Sequence, residues 1–133
     1  MSLTAPLHDM LIRIKNAYMA RRTSVAPVVY SKFKVAVLNM LKRYGYIHSF
    51  DIQSEGNKKS IYIHLNEVYN VVEDIPVIKF YSTPSRRFYV AHDQIKTVAS
   101  GQGLGIMSTS LGLLPSHIAK VKGVGGELIA EIY

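Results

Sequence analysis

Three hydroxyl residues stand in a row at Ser108-Thr109-Ser110, and a glycine-rich run, Gly123-Val124-Gly125-Gly126, precedes Glu127. As a nucleophile the serine would need a Gly-x-Ser-x-Gly elbow, which is absent. As a platform, short hydroxyl side chains can enter the shallow minor groove of RNA and bond 2′-OH groups or base edges, where longer side chains are held off. A third reading is local: hydroxyls at a strand end cap their own backbone. The glycine run adds free backbone N–H groups, which suit a phosphate.

Arg86-Arg87-Phe88-Tyr89 interleaves cations with rings. Read as part of a strand over 86–91, Arg86 and Phe88 share one face and Arg87 and Tyr89 the other, so one pair turns to the core. At the strand start Arg86 can snorkel. Exposed Arg87 and Tyr89 would hold a phosphate and stack a base; the bland alternative is an ordinary half-exposed tyrosine. Upstream, Arg13, Lys15, Asn16, Arg21, Arg22, Lys32 and Lys34 collect near the end of one helical pattern and the start of the next. Such a run is either a solvated face or a surface for an anionic backbone.

Other constellations fall short of chemistry. Gly101-Gln102-Gly103-Leu104-Gly105 has its third glycine two residues after the second, and a strand-like segment follows. A dinucleotide loop needs a spacing of three and then a helix, so tight backbone packing or a bulge is the reading. His8, His48, His64, His92 and His117 show no i,i+3 or i,i+4 pairing, and no carboxylate stands at ligand spacing. No metal site and no cofactor is expected. With no cysteine there is no disulfide frame, thiolate site or thiol nucleophile.

The 133 residues include 16 Lys+Arg against 9 Asp+Glu, a formal charge of +7, with 48% hydrophobic and 19% charged residues. This is globular composition, which excludes a disordered basic tail, and the charge points to an anionic partner. Residues 1–65 hold ten of the basic residues and only three acidic ones, Asp9, Asp51 and Glu55. Residues 79–126 form a second basic region, with Lys79, Arg86, Arg87, Lys96, Lys120 and Lys122 against Asp93 alone. Glu67, Glu73 and Asp74 lie between the two. This acidic stretch is the expected boundary between subdomains 1–66 and 67–133. No apolar run approaches the ~18 residues of a membrane span. Met1 to Pro6 carries no apolar signal core and no Arg-rich leader.

The elements that must position these residues are legible in outline. Leu7, Met10, Leu11, Ile14, Ala17 and Tyr18 lie on one helical face, with Thr4 as cap, Pro6 in the first turn and Asp9–Arg13 as an outer i,i+4 pair. Pro27 marks Ser24–Tyr30 as an edge strand. Ser31 caps a second helix bearing Phe33, Val37, Met40, Leu41 and Tyr44, which Gly45 ends. Strands over 46–53 and 60–65 flank a polar turn over 54–59, a hairpin. Strands over 76–82 and 86–91 surround a turn at Thr83-Pro84-Ser85. A strand over 104–108, a two-turn helix over 116–122, a glycine loop over 123–126 and a strand over 127–133 complete the pattern. The fold class is α+β: an N-terminal α-β-α-β-β subdomain and a C-terminal, mainly antiparallel β subdomain with one short helix.

Four blocks carry a family resemblance. Asp9-Met10-Leu11-Ile12-Arg13-Ile14-Lys15-Asn16 resembles the opening helix of the bacterial-type small-subunit ribosomal protein number eight family. Ser31-Lys32-Phe33-Lys34-Val35-Ala36-Val37, continuing through Leu41-Lys42 to Gly45-Tyr46-Ile47, resembles its second helix. Ser82 through Tyr89 is similar to the family's Ser-Arg-Pro-Gly-x-Arg-x-Tyr segment. Ser108-Thr109-Ser110-Leu111-Gly112 and Gly123-Val124-Gly125-Gly126-Glu127 resemble its strongest marker. Departures are Ala5-Pro6 for Asp-Pro, Pro84-Ser85 for Pro-Gly, Leu111 for a phosphate-contacting Lys, and Pro115-Ser116-His117 for Thr-Asp-Arg.

The resemblance implies a non-enzymatic protein that binds the central domain of small-subunit rRNA early in assembly, at an irregular helix with unpaired bases. It implies that Ser108, Thr109, Ser110, Gly125, Gly126 and Glu127 grip that RNA and that Tyr89 stacks on a base. Arg87 and Lys120 belong to the same basic region. Thr4, Arg13 and Asn16 of the first helix, with Ser31 and Lys32, are implied to touch sugar–phosphate backbone. Implied partners are this rRNA and neighbouring small-subunit proteins, number five among them, with no membrane and no small-molecule substrate. The implied location is a ribosome, in a bacterial cytoplasm or an organellar matrix. A further implied role is repression of the chain's own operon message through an RNA mimic. A small enzyme built on the glycine loop or hydroxyls is the competing class, but it lacks a base, a nucleophile elbow and a metal set.

Overall fold

The computed structural model describes residues 4–133, apart from the side chain of Ser100. The chain is α+β and divides into two compact units, one of Asp9–Pro76 and one of Val77–Tyr133 joined by the start of the first helix up to His8.

Helix α1 runs Thr4–Met19, and the stripe Leu7, Met10, Leu11, Ile14, Ala17 and Tyr18 is buried as its spacing requires. Thr4 is the first described helical residue rather than a cap ahead of the helix. Its hydroxyl is instead buried and donates to the Glu127 carboxylate at 2.8 Å. The other end closes on Arg21, held at φ 57, while the amides of Arg21 and Arg22 return to the carbonyls of Tyr18 and Ala17. An arginine thus occupies a left-handed position that usually belongs to glycine.

In the first unit β1 (Ser24–Val29), β3 (Lys58–His64) and β2 (Ser49–Glu55) form an antiparallel sheet in the order β1-β3-β2. Ile61 and Ile63 of β3 are buried and alternate with half-buried Tyr62 and His64, the period-two pattern of a one-sided sheet. Helix α2 (Lys32–Arg43) buries Val37, Leu38, Met40 and Leu41. Ser31 caps it by accepting the Phe33 N–H at 3.3 Å, and Gly45, at φ +81, turns the chain so that the Tyr46 N–H caps Leu41. The hairpin is tighter than its polar run suggests. Pairing continues to Glu55–Lys58, leaving Gly56-Asn57 as the turn, with Gly56 at φ +61. The buried Tyr18 hydroxyl donates to the Tyr46 carbonyl and accepts the Asn66 N–H. Desolvation raises its pKa. A short helix, α3 (Val71–Asp74), capped by Asn70, was not foreseen.

In the second unit β8 (Gly126–Ile132) is the axis. It pairs with β6 (Leu104–Thr109), with β4 (Ile78–Phe80) near its C-terminal end and with β5 (Tyr89–Val90) near its start. Strand β7 (Gly112–Pro115), also unforeseen, pairs with β6. Helix α4 (Ser116–Val121) contributes Ala119 to a core with Ile95, Met107 and Leu128. Gly103 and Gly105 serve tight packing: a Cβ on either would lie under 2.5 Å from Val98 or Ser116 side-chain atoms.

The expected strand over 86–91 shrinks to Tyr89–Val90, and Arg86 and Arg87 are exposed in the preceding turn. Thr83 and Arg86 exchange N–H···O=C bonds across that turn. The two-faced alternation of arginines and rings therefore does not occur, and neither arginine is turned into a core.

Candidate nucleic-acid interface

In the second unit the register aligns residues that are distant in sequence. Tyr89 pairs with Glu127, and Glu127 pairs with Ser108. Residues directly opposite one another in antiparallel strands project from the same face, so Tyr89, Glu127 and Ser108 form one cross-strand row. Their neighbours Leu128 and Met107 pair with each other and belong to the core. The row therefore lies on the opposite face of the sheet from that core.

Along the row, exposure and polarity vary. Tyr89 is 66% exposed. Ser108 is half-buried, and Ser110 is exposed in the turn between β6 and β7. Neither serine hydroxyl has an intramolecular partner among the described residues. Thr109 differs: its hydroxyl donates to the Gly112 carbonyl at 2.8 Å and accepts the Leu111 N–H at 3.1 Å. The local reading thus holds for Thr109, whose hydroxyl shapes the turn that presents Ser110. Glu127 is buried and faces inward to Thr4. In this conformation Thr4 and Glu127 form an internal latch between the start of α1 and the start of β8, and neither carboxylate nor hydroxyl is offered to solvent.

Part of the glycine run is already engaged within the fold. The N–H groups of Gly123 and Val124 cap the carbonyls of Lys120 and Ala119 at the end of α4. These two amides are therefore engaged, and Gly126 is paired in the sheet with Val90 and Thr109. Gly126 is required by close approach: a Cβ there would lie 2.2 Å from the Ser108 carbonyl oxygen. Gly125 is similar, with the Val90 carbonyl oxygen at 2.5 Å. These glycines let β8 sit against β5 and β6, and so hold the row together.

The sequence reading missed the residue that fastens Tyr89. Ser82 is buried, donates to the Leu128 carbonyl at 2.9 Å and accepts the Phe88 N–H at 2.8 Å. It ties the Arg86–Phe88 segment to β8, one residue before Tyr89. Its signal was present in the Ser82–Tyr89 block, but a lone serine gives no sign of burial. Phe88 packs on Tyr81 at 5.3 Å, and both line a cleft of about 370 Å³ with Met107 and Leu128. Arg86, Arg87 and Lys120 are exposed.

In the first unit the structure brings Arg13 and Asn16 together with Arg22 around a shallow depression of about 430 Å³. Arg13 makes the expected i,i+4 pair with Asp9, Nε to Oδ2 at 3.4 Å. That pair is exposed and weak, so the guanidinium can exchange it for a phosphate. Ser31 is committed as an N-cap, while Lys32 lies over the Phe33 ring at 5.2 Å with its ammonium exposed. Among the described residues no three His, Asp or Glu side chains cluster as metal ligands, and no helix is long and apolar enough to cross a membrane.

Comparison with known proteins gives one answer. The family model described as ribosomal protein S8 matches residues 5–133. A small ribosomal subunit protein uS8 from Dictyoglomus thermophilum is 41% identical over the whole of both chains. Proteins of the same name from Geobacter metallireducens, at 38% over the whole of both chains, and from Psychrobacter, at 42% over 99% of each, are also similar.

Proposed function

The chain belongs to the ribosomal protein S8 family, and from that premise we propose that it is a non-enzymatic structural component of the small ribosomal subunit that binds the central domain of small-subunit rRNA. The observation that carries the finer reading is the cross-strand row: an exposed Tyr89, a half-buried Ser108 and, at the adjoining turn, an exposed Ser110, with free serine hydroxyls and no acid exposed among them. Hydroxyls set flush with a surface suit 2′-OH groups and base edges in a shallow groove, and an exposed ring suits an unpaired base. Arg87, exposed two residues before Tyr89, and Lys120, exposed on α4, supply cations for the backbone. Arg13, Asn16 and Lys32 supply a second contact, read through charge rather than sequence. Gly125, Gly126, Glu127 and Thr4 serve this surface chiefly by shaping it. A hairpin in the chain's own operon message that mimics this RNA would be gripped by the same residues. The ribosome is the location that this reading gives; the relatives named above are bacterial.

The test is a titration of Ser110→Ala against a central-domain rRNA fragment and a generic duplex. Affinity for the fragment should fall by about 1–3 kcal/mol, with the duplex little changed. Equal loss on both RNAs would remove the hydroxyl from sequence and shape readout. Co-sedimentation with small-subunit particles checks the coarser statement.

A further inference from the structure

The two edges of the first unit's sheet are unlike. Strand β1 is blunted: Pro27 lies within it, its register to β3 is irregular between Val25 and Val28, and the Lys34 ammonium donates to the Val29 carbonyl at 2.9 Å. These are the devices that keep an edge from pairing with another chain. Strand β2 has none of them. It pairs with β3 without a break from Ser49 to Glu55, contains no proline and no lysine, and is exposed from Asp51 onward. It is the outer strand of the sheet, and among the described residues no backbone hydrogen bond ties its outer edge to another element.

Charge sets β2 apart as well. Of the three acidic residues in 1–65, two, Asp51 and Glu55, lie on this strand, which carries no basic residue. They share a face with Gln53 between them. Asp51 pairs with His64 at 3.0 Å, and among the described residues Glu55 makes no ion pair although Lys58 stands opposite. On the other face Ile52 is 45% exposed. Nucleic acid is disfavoured at this strand, because its carboxylates would face phosphates. An open backbone edge, an acidic face and an exposed apolar side chain together match an extended peptide with alternating basic and apolar residues.

We infer that the outer edge of β2 is a strand-addition site for an extended, Lys/Arg-bearing segment of another protein, which would become the fourth strand of this sheet. This rests on the reading of the chain as a small-subunit component. It gives the first unit the cations Arg13 and Lys32 for RNA and the edge of β2 for protein, with opposite charge preferences.

The experiment places a photoreactive benzoyl-phenylalanine at Gln53 in the full chain, assembles it into small ribosomal particles, and maps adducts by mass spectrometry. Expected is an adduct to a Lys/Arg-bearing protein segment. The β2 amides should also exchange about tenfold more slowly in the particle than in the free chain. Combined Asp51→Lys and Glu55→Lys should cut the adduct yield about tenfold while leaving the melting temperature and binding to the rRNA fragment in place. An adduct only to RNA, only to a second copy of this chain, or to nothing overturns the inference. Unchanged amide exchange, or an adduct insensitive to the charge reversal, does so too. A chain that fails to sediment with the particles overturns the small-subunit reading itself, and the inference with it.

Discussion

Gly126→Ala should split the proposed RNA surface, and the geometry gives the size of the effect. The added methyl would sit 2.2 Å from the Ser108 carbonyl oxygen, 3.0 Å from its carbon and 3.1 Å from the Thr109 Cα. All three are backbone atoms of β6, so no side-chain rotation relieves them. Gly126 does not lie in the left-handed region, so the penalty is steric rather than conformational. Ordinary contact needs about 1 Å more separation, and that shift exceeds what a ladder hydrogen bond tolerates. The Thr109–Gly126 and Ser108–Glu127 pairings would loosen. Overpacking costs about 1–3 kcal/mol, and one or two weakened ladder bonds add about 1 kcal/mol. The total is about 2–4 kcal/mol. At about 4 °C per kcal/mol for a chain of this size, the melting temperature should fall by about 8–16 °C. Circular dichroism melts of parent and variant measure this directly. The variant should also lose more affinity for the central-domain fragment than for a generic duplex, because Ser108 and Tyr89 both lose their shared strand. A melt within about 2 °C of the parent would show that β6 and β8 are not held this close, and the row would have to be abandoned.

Four further outcomes follow from single contacts. Tyr89 is exposed, so Tyr89→Ala should leave the melt in place yet weaken RNA binding by about 1–3 kcal/mol, with Tyr89→Phe nearly silent; a lowered melt with unchanged affinity would make it a packing residue. Ser82→Ala leaves the Phe88 N–H and the Leu128 carbonyl without their partner and should destabilise by about 1–3 kcal/mol in a urea titration. Neutralising Arg13 and Lys32 together should reduce the slope of log K against log salt by about one to two, and an unchanged slope with an intact fold removes them from the RNA contact. The Asp74 carboxylate accepts the N–H groups of Asn70 and Tyr69, which lowers its pKa below the ordinary 3.8. Its contribution is therefore complete above that value and is lost as pH falls through the lowered one; amide exchange at Tyr69 and Asn70 should accelerate only in that acid range.

Local signals were the most legible part of the sequence. The stripe from Leu7 to Tyr18, the Ser31 cap, the Gly45 stop and the alternation of Ile61 and Ile63 each encode an element within a few residues of chain. So does the Asp9–Arg13 pair. Elements with little local content were read poorly. Strand β7 is only Gly-Leu-Leu-Pro, and its strand character comes from hydrogen bonds to β6. The strand read over 86–91 gave way to a turn because the Ser82 hydroxyl, fastened to β8, fixes the path of Phe88.

For the site, residue types alone mark the hydroxyl run, the glycine run and the interleaved arginines and rings. Their roles required the tertiary structure, because three hydroxyls adjacent in sequence have three different surroundings. Thr109 is turned into its own turn, Ser108 is half-buried in the row, and Ser110 is free and exposed. Glu127 is polar by composition, yet packing places it under Thr4, 123 residues away in sequence. Sequence determines which groups a strand or helix can present, since the periods of 2 and 3.6 are properties of the local backbone. Register between strands that are distant in the chain determines which groups meet. That register is set here by glycines whose missing Cβ lets β8 approach β5 and β6, a contact that exists only once the sheet has formed.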